Sequence, residues 1–220
     1  SIQGKEQIIL DRSQAYIGVL IDDLVTKDNF EPYRMMTSRA EYRLLLRQDN
    51  ADIRLREIGY QAGLVSEEDY KSTLGKQMLI QEEMERLKKT VVGAAPEIQR
   101  FLQEHESSPL KTAASLSELM CRPELSYSAL AEIDPGRPQL PSDVIEQVEI
   151  ELKYEGYITR QMRQVEQFKK MEKKKIPSWI DYEDISSLRL EARQKLIAYK
   201  PVSVGQASRI SGVSPADISV

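Results

Sequence analysis

The chain has 220 residues, enough for one domain or two small ones with a sizeable buried core. Hydrophobic residues make up 40% and charged residues 30%, with 31 basic against 35 acidic for a net charge of −4. No apolar run approaches the ~18 residues of a membrane-spanning helix, and the charge balance does not by itself advertise nucleic-acid binding. One cysteine, Cys121, and one histidine, His105, exclude an internal disulfide framework, a Cys-cluster zinc site and a multi-His metal site, and point to a reducing, cytoplasmic compartment.

In chain order, the N-terminus is polar and soon carries acid, unlike a signal peptide. A start at Ser1 and an end at Val220, inside a helix opened by Pro215, are what a fragment of a longer protein shows. Ile8–Leu10 and Tyr16–Ile21 are short apolar runs that read as strand or buried helix, and periodicity does not decide at that length. Asn29-Phe30-Glu31-Pro32 reads as a turn. Thr37 or Ser38 then offers an N-cap for a helix over Arg39–Arg47. Asp52 to Ala62 reads as a helix stopped by Gly63. Ser66 caps a Glu/Lys/Gln-rich helix to about Val92, and Pro96 opens one through His105. Ala113–Met120 and Tyr127–Ile133 are shorter helical pieces.

Pro135, Pro138 and Pro141 mark the clearest linker. Ser142 caps the longest helical pattern, to about Lys175. Its apolar stripe runs through Val144, Val148, Leu152, Ile158, Met162, Val165 and Phe168, with acids at the front and lysines at the end to suit the helix dipole. A helix over Ser187–Tyr199 follows, and Ser203–Pro215 reads as helix, turn, helix. The fold class is mainly α: a multi-helix bundle in two small subdomains, with a short N-terminal segment in which strands stay open. The expected divisions are 1–50 as a linker, 51–140 as the first helical subdomain and 141–220 as the second.

The chemistry-bearing patterns are few. No two glycines stand one residue apart, so neither a dinucleotide fingerprint nor a Walker loop exists here. Asp22 and Asp23 are adjacent and read as solvated or locally bonded acids. Arg34 is followed by Arg39, Arg43 and Arg47, the last three in one row at helical steps of four, spanning about 12 Å. Like charges at that spacing repel, so the row calls for anions. They are either Glu31, Asp49 or Asp52 from the fold, or the phosphates of a ligand. Arginine favours bidentate oxyanion contact, and Tyr42 beside the row is placed to stack on a base. Lys153-Tyr154-Glu155-Gly156-Tyr157 with Arg160 is a second basic and aromatic cluster. Its mid-helix glycine implies a close backbone approach, a kink or a contact site, with plain helix packing the simpler reading. The unit around Gln206 and Arg209 is too poor in cations for a phosphate footprint and reads as a packing or docking element. His105 reads as a surface residue and Cys121 as a core residue, not a nucleophile.

Glu31-Pro32-Tyr33-Arg34-Met35 with Thr37–Arg47 and Asp49–Asp52 resembles the segment that follows the flavin domain in the GidA/MnmG family. Tyr16–Leu24, Lys153–Ile158, the Lys-Ile-Pro ending at Pro177 and Gly205–Val213 match in order, so the resemblance covers essentially the whole chain. It implies a tRNA-modifying enzyme that uses FAD and NADH. Such an enzyme acts with the GTPase MnmE to install a carboxymethylaminomethyl group on the wobble uridine of tRNA, as a homodimer away from membranes. This chain would be its C-terminal helical part, without the flavin domain or catalytic cysteines, holding no cofactor and inactive alone. The resemblance implies that Arg34, Arg39, Arg43 and Arg47 form a tRNA-facing or active-site-facing basic patch, with Tyr42 beside them as a further candidate for tRNA contact. It makes Lys153, Tyr154, Tyr157, Arg160, Gln206 and Arg209 candidates for MnmE or tRNA contact. The competing reading is a purely structural or dimerisation scaffold without RNA contact.

Overall fold

The structure, a computed structural model, describes Gly4, residues 7–27 and residues 31–220. The turn expected at Asn29-Phe30 lies outside the described residues. The fold is mainly α, and the chain divides into two compact units: Arg47–Ile158, and Glu6–Leu46 together with Thr159–Val220.

In the first unit, helix α2 (Ala51–Gln61) ends at Gly63, whose backbone is left-handed at φ 79°. Helix α3 (Glu67–Lys89) starts at Ser66, whose hydroxyl accepts from the Asp69 N–H at 3.1 Å. Acids fill its first turn and Arg86, Lys88 and Lys89 its last, as the helix dipole favours. It stops short of Val92, because the β-branched pair Val91–Val92 (β1) instead forms an antiparallel ladder with Ala114–Ser115 (β2). Helix α4 (Pro96–Glu104) opens on proline. Helix α5 (Leu116–Met120) is closed by a capping box between Ser115 and Glu118. Around them Leu87, Leu102, Leu116, Leu119, Leu125, Tyr127, Leu130, Val144 and Val148 form one core. The Tyr127 hydroxyl donates to Glu83 at 2.8 Å, and Arg86 joins Glu83 to Asp134, so the polar groups buried beside that core are paired.

Helix α6 (Ser142–Lys173) is the longest and supplies residues to both units. A Cβ built at Gly156 would meet nothing within 4 Å, so no other backbone approaches there among the described residues.

In the second unit the open assignment at Tyr16–Ile21 resolves as helix α1 (Tyr16–Thr26). A Cβ at Gly18 would collide with the carbonyl of Asp11, so only glycine lets the preceding turn lie this close. Val19, Ala40 and Leu46 form one small core. Tyr182, Leu188, Leu196, Ala207 and Ile210 form another, under α7 (Leu190–Tyr199), α8 (Val204–Ser208) and α9 (Pro215–Ile218).

Three expectations need correction. The helix over Arg39–Arg47 is absent: a single 3-10 turn, Thr37–Arg39, leads into further turns through Leu46. Cys121 is exposed rather than in the core, its thiol donating to the Leu152 carbonyl at 3.4 Å. His105 is half-buried, its Nδ1 3.0 Å from the Phe101 carbonyl.

Candidate functional site

The segment 31–46 is shaped by a residue that sequence reasoning passed over. Arg12 is 3% exposed. Its Nη1 donates to Asp22 at 2.9 Å, to Asp23 at 2.6 Å and to the Val19 carbonyl at 3.3 Å. Its Nη2 donates to Glu41 at 2.7 Å and to the Arg39 carbonyl at 3.4 Å. Asp23, 1% exposed, also receives Lys27 at 2.7 Å and the Tyr33 hydroxyl at 2.8 Å. Burial alone would push the Asp23 carboxyl up, but the hydrogen bonds from Lys27, Arg12 and Tyr33 outweigh it and hold it below its ordinary range. Burial and the Asp23 charge push the Tyr33 phenol up. The Arg39 guanidinium lies 4.2 Å above the Tyr33 ring. Arg12 thus ties Glu41 and the Arg39 carbonyl to α1. This tertiary demand, 29 positions away in sequence, replaces the helix that the arginine spacing suggested.

The arginine row therefore disperses. Arg34 and Arg43 are exposed with no carboxylate partner among the described residues, and Arg39 is half-buried on Tyr33. Arg47 belongs to the other unit. There its Nε donates to Asp49 at 3.0 Å and its Nη2 lies 3.2 Å from Gln147 and 3.5 Å from Glu151. Gln147 in turn donates to Asp49 at 2.7 Å. The Asp49 carboxyl sits below its usual range, since the Gln147 and Arg47 hydrogen bonds outweigh the opposing effect of burial. Arg47 thus has its anions from the fold. Tyr42 needs the same correction as a stacking platform: it is 7% exposed, edge-on to Phe168 with centroids 6.4 Å apart, and burial raises its phenol.

The second cluster divides likewise. Lys153 is half-buried on Glu149 at 2.8 Å. Tyr154 and Tyr157 are exposed, with centroids 6.5 Å apart, and Arg160 is exposed without a described partner. Arg209 is taken up internally: it pairs with Glu172, with Asp22 at 3.0 Å and with the Gly205 carbonyl at 3.1 Å, and its guanidinium lies 5.0 Å from the Phe168 ring. Gln206 accepts from the Val202 N–H at 2.8 Å. In the second half of α6, Arg160, Arg163, Gln167 and Lys170 recur at steps of three and four, all but one of them cationic. That stripe was legible as a spacing, but the apolar stripe of the same helix drew the reading.

Among the described residues no group of three or more His, Cys, Asp or Glu is arranged to hold a metal. The glycines with left-handed backbone, Gly4, Gly63 and Gly212, stand singly, and none forms the glycine-rich turn that cradles a dinucleotide. Among the described residues nothing forms the phosphate cradle that FAD or NADH would need. No helix of the described residues is long and apolar enough to cross a membrane.

The chain, mainly helical and with its arginines split between internal ion pairs and solvent, matches two family models. Residues 67–162 match the tRNA modifying enzyme MnmG/GidA C-terminal helical domain, and residues 164–220 match the C-terminal helical bundle of the same enzyme. The chain belongs to the MnmG/GidA family and corresponds to its C-terminal part. It is 66% identical over 219 residues to the tRNA uridine 5-carboxymethylaminomethyl modification enzyme MnmG of Caldicellulosiruptor saccharolyticus, covering 100% of this chain and 35% of that protein. The corresponding enzyme of Lachnoclostridium phytofermentans is 63% identical, with the same coverage. Aquifex aeolicus GidA in its form II crystal superposes with a TM-score of 0.76 at 43% identity, over 99% of this chain and 34% of that one. The chain therefore spans about a third of the length of these relatives.

Proposed function

We propose that the chain is the tRNA- and partner-binding C-terminal part of an FAD- and NADH-dependent enzyme that modifies the wobble uridine of tRNA, and that it performs no turnover itself. In this reading it works in a homodimeric, cytoplasmic enzyme with MnmE as its GTPase partner, and residues 1–50 lead out of the flavin domain into helical subdomains at 51–140 and 141–220.

One observation carries the reading. In a chain of net charge −4, Arg34 and Arg43 face solvent without a carboxylate among the described residues, while Arg12, Arg47 and Arg209 are all neutralised internally. Cations left unpaired beside a well-paired set suit phosphate contact. Arg39, stacked on Tyr33, and Arg160 are further tRNA contacts in this reading, and the exposed Tyr154 and Tyr157 are the surface offered to MnmE. The internal pairing of Arg47 and Arg209 favours the alternative, a structural scaffold, for those two residues.

The test is tRNA binding across a salt series by wild type and by the double variant Arg34→Glu/Arg43→Glu, which leaves the internal pairs intact. Each lost phosphate contact should lower the slope of log K against log salt by about 0.7–0.9. Affinity should fall at least tenfold, about 1.4 kcal/mol. Equal binding by a folded variant, or no binding by either chain while MnmE is retained, sinks the RNA reading and leaves the scaffold.

A further inference from the structure

Helix α1 is amphipathic the wrong way round for a helix that meets water. Its inward side carries Val19 and Asp23, at 2% and 1% exposure, with Asp22 and Asp23 both held by Arg12. Its outward side carries Ile17, Ile21, Leu24 and Val25, exposed at 45%, 53%, 46% and 74%. At helical spacing these four fall within an arc of about 100°, the width of a stripe that ordinarily faces a core. No charged residue stands among them, and Ile8 and Ile9, just upstream, are exposed as well. A contiguous aliphatic face of this kind marks a buried interface in the assembled protein.

We infer that the outward face of α1 is the seat of the rest of the full-length polypeptide, the part that precedes this chain in its relatives. The two matched family models are C-terminal, and the chain spans 35% of the MnmG from Caldicellulosiruptor saccharolyticus and 34% of Aquifex aeolicus GidA. About two thirds of those proteins therefore lies upstream of the position of residue 1. Helix α1 is the first helix among the described residues, so its apolar face is the closest in sequence to that upstream mass. Its lack of charge suits a permanent contact, since obligate interfaces are more hydrophobic than those that form and part. The inference rests on family membership and not on the proposed RNA contact.

The experiment is thiol labelling. In a Cys121→Ser background, Ile21→Cys is reacted with a maleimide both in the 220-residue chain and in the full-length protein, and labelling at position 21 is read by peptide mass spectrometry so that upstream cysteines do not count. Lys71→Cys, on an exposed side chain of α3, is the reference in each. The expected result is at least tenfold slower labelling of Ile21→Cys in the full-length protein, with Lys71→Cys unchanged. Val25→Cys repeats the test one turn further on and guards against a folding defect at position 21. Equal rates in the two proteins overturn the inference. So does a rate that falls with concentration in the 220-residue chain and no further in the full-length protein, because a second copy is then the occupant. No tRNA is present, so failure here leaves the RNA reading standing.

Discussion

Replacing Arg12 by methionine keeps a long flexible side chain and removes the guanidinium. In the native unit that guanidinium is 3% exposed and satisfies two carboxylates of α1, the carboxylate of Glu41 and two backbone carbonyls. After the change Asp23, 1% exposed, loses its buried guanidinium partner while Lys27 and the Tyr33 hydroxyl stay beside it. Removing one member of a buried pair and stranding the other charge costs about 3–5 kcal/mol. The counter-experiment is Glu41→Gln in the same network. Glu41 is 48% exposed, so its loss should cost no more than about 1 kcal/mol. The pH dependence gives a second handle. The native carboxyl of Asp23 is depressed, so it contributes stability above the ordinary carboxylate range, and that contribution is lost as pH falls through the depressed native value. In Arg12→Met the stranded carboxyl takes up a proton earlier, which relieves the burial cost. The gap between variant and wild type should therefore be widest near neutrality and narrow on acidification. Urea unfolding followed by far-ultraviolet circular dichroism at several pH values measures both. A loss below about 1 kcal/mol at pH 7, or a gap that does not shrink in acid, would refute the account of Arg12 as the organiser of this unit.

Arg47→Glu should destabilise the other unit by about 2–4 kcal/mol, because it sets a third acid beside Asp49 and Glu151; chemical denaturation reads this out, and tRNA binding by this variant would report folding rather than contact. Gly18→Ala should cost about 1–3 kcal/mol, since the new methyl meets the Asp11 carbonyl, whereas Gly156→Ala should gain about 0.5–1 kcal/mol in a helix with open space at that point; paired thermal melts check the opposite signs. The Cys121 thiol is pushed up first by burial and then by the charges of Glu155 and Glu118, so iodoacetamide labelling at neutral pH should be slower than for free cysteine and should quicken in Glu155→Gln.

What was legible in the sequence is local. Ser66 and Pro96 act where their chemistry implies, at helix starts, and Gly63 acts as a stop through its left-handed backbone. The arginine row failed for the opposite reason. Its helical spacing is real, but Arg12 claims Glu41 and the Arg39 carbonyl, while Asp49 and Gln147 claim Arg47 from the other unit. The Arg12 and Gln147 pairings join residues 27 to 100 positions apart, and no window of a dozen residues contains them; Asp49, two positions from Arg47, was the one partner within local reach. The adjacent acids Asp22 and Asp23 were the usable clue: two carboxylates in an apolar run imply a cation brought from elsewhere. Cys121 misled because Leu119 and Met120, just before it, are apolar, while Glu118 and the distant Glu155 act on its thiol.

The pairing of Asp22 with both Arg12 and Arg209 bears on how the molecule is made. Asp22 and Arg209 are 187 positions apart, and the unit they close is assembled from both ends of the chain, around the intervening stretch Arg47–Ile158. On the ribosome that stretch emerges complete and can fold at once, whereas α1 must wait for the Asp22–Arg209 pairing until residue 209 has been synthesised. The entropic penalty of closing so long a loop rises slowly, about 0.6 kcal/mol per doubling of length, so the delay is set by translation more than by the chain search. During that interval α1 is the segment most in need of cover, and whatever has already folded upstream of it is the nearest surface to supply it.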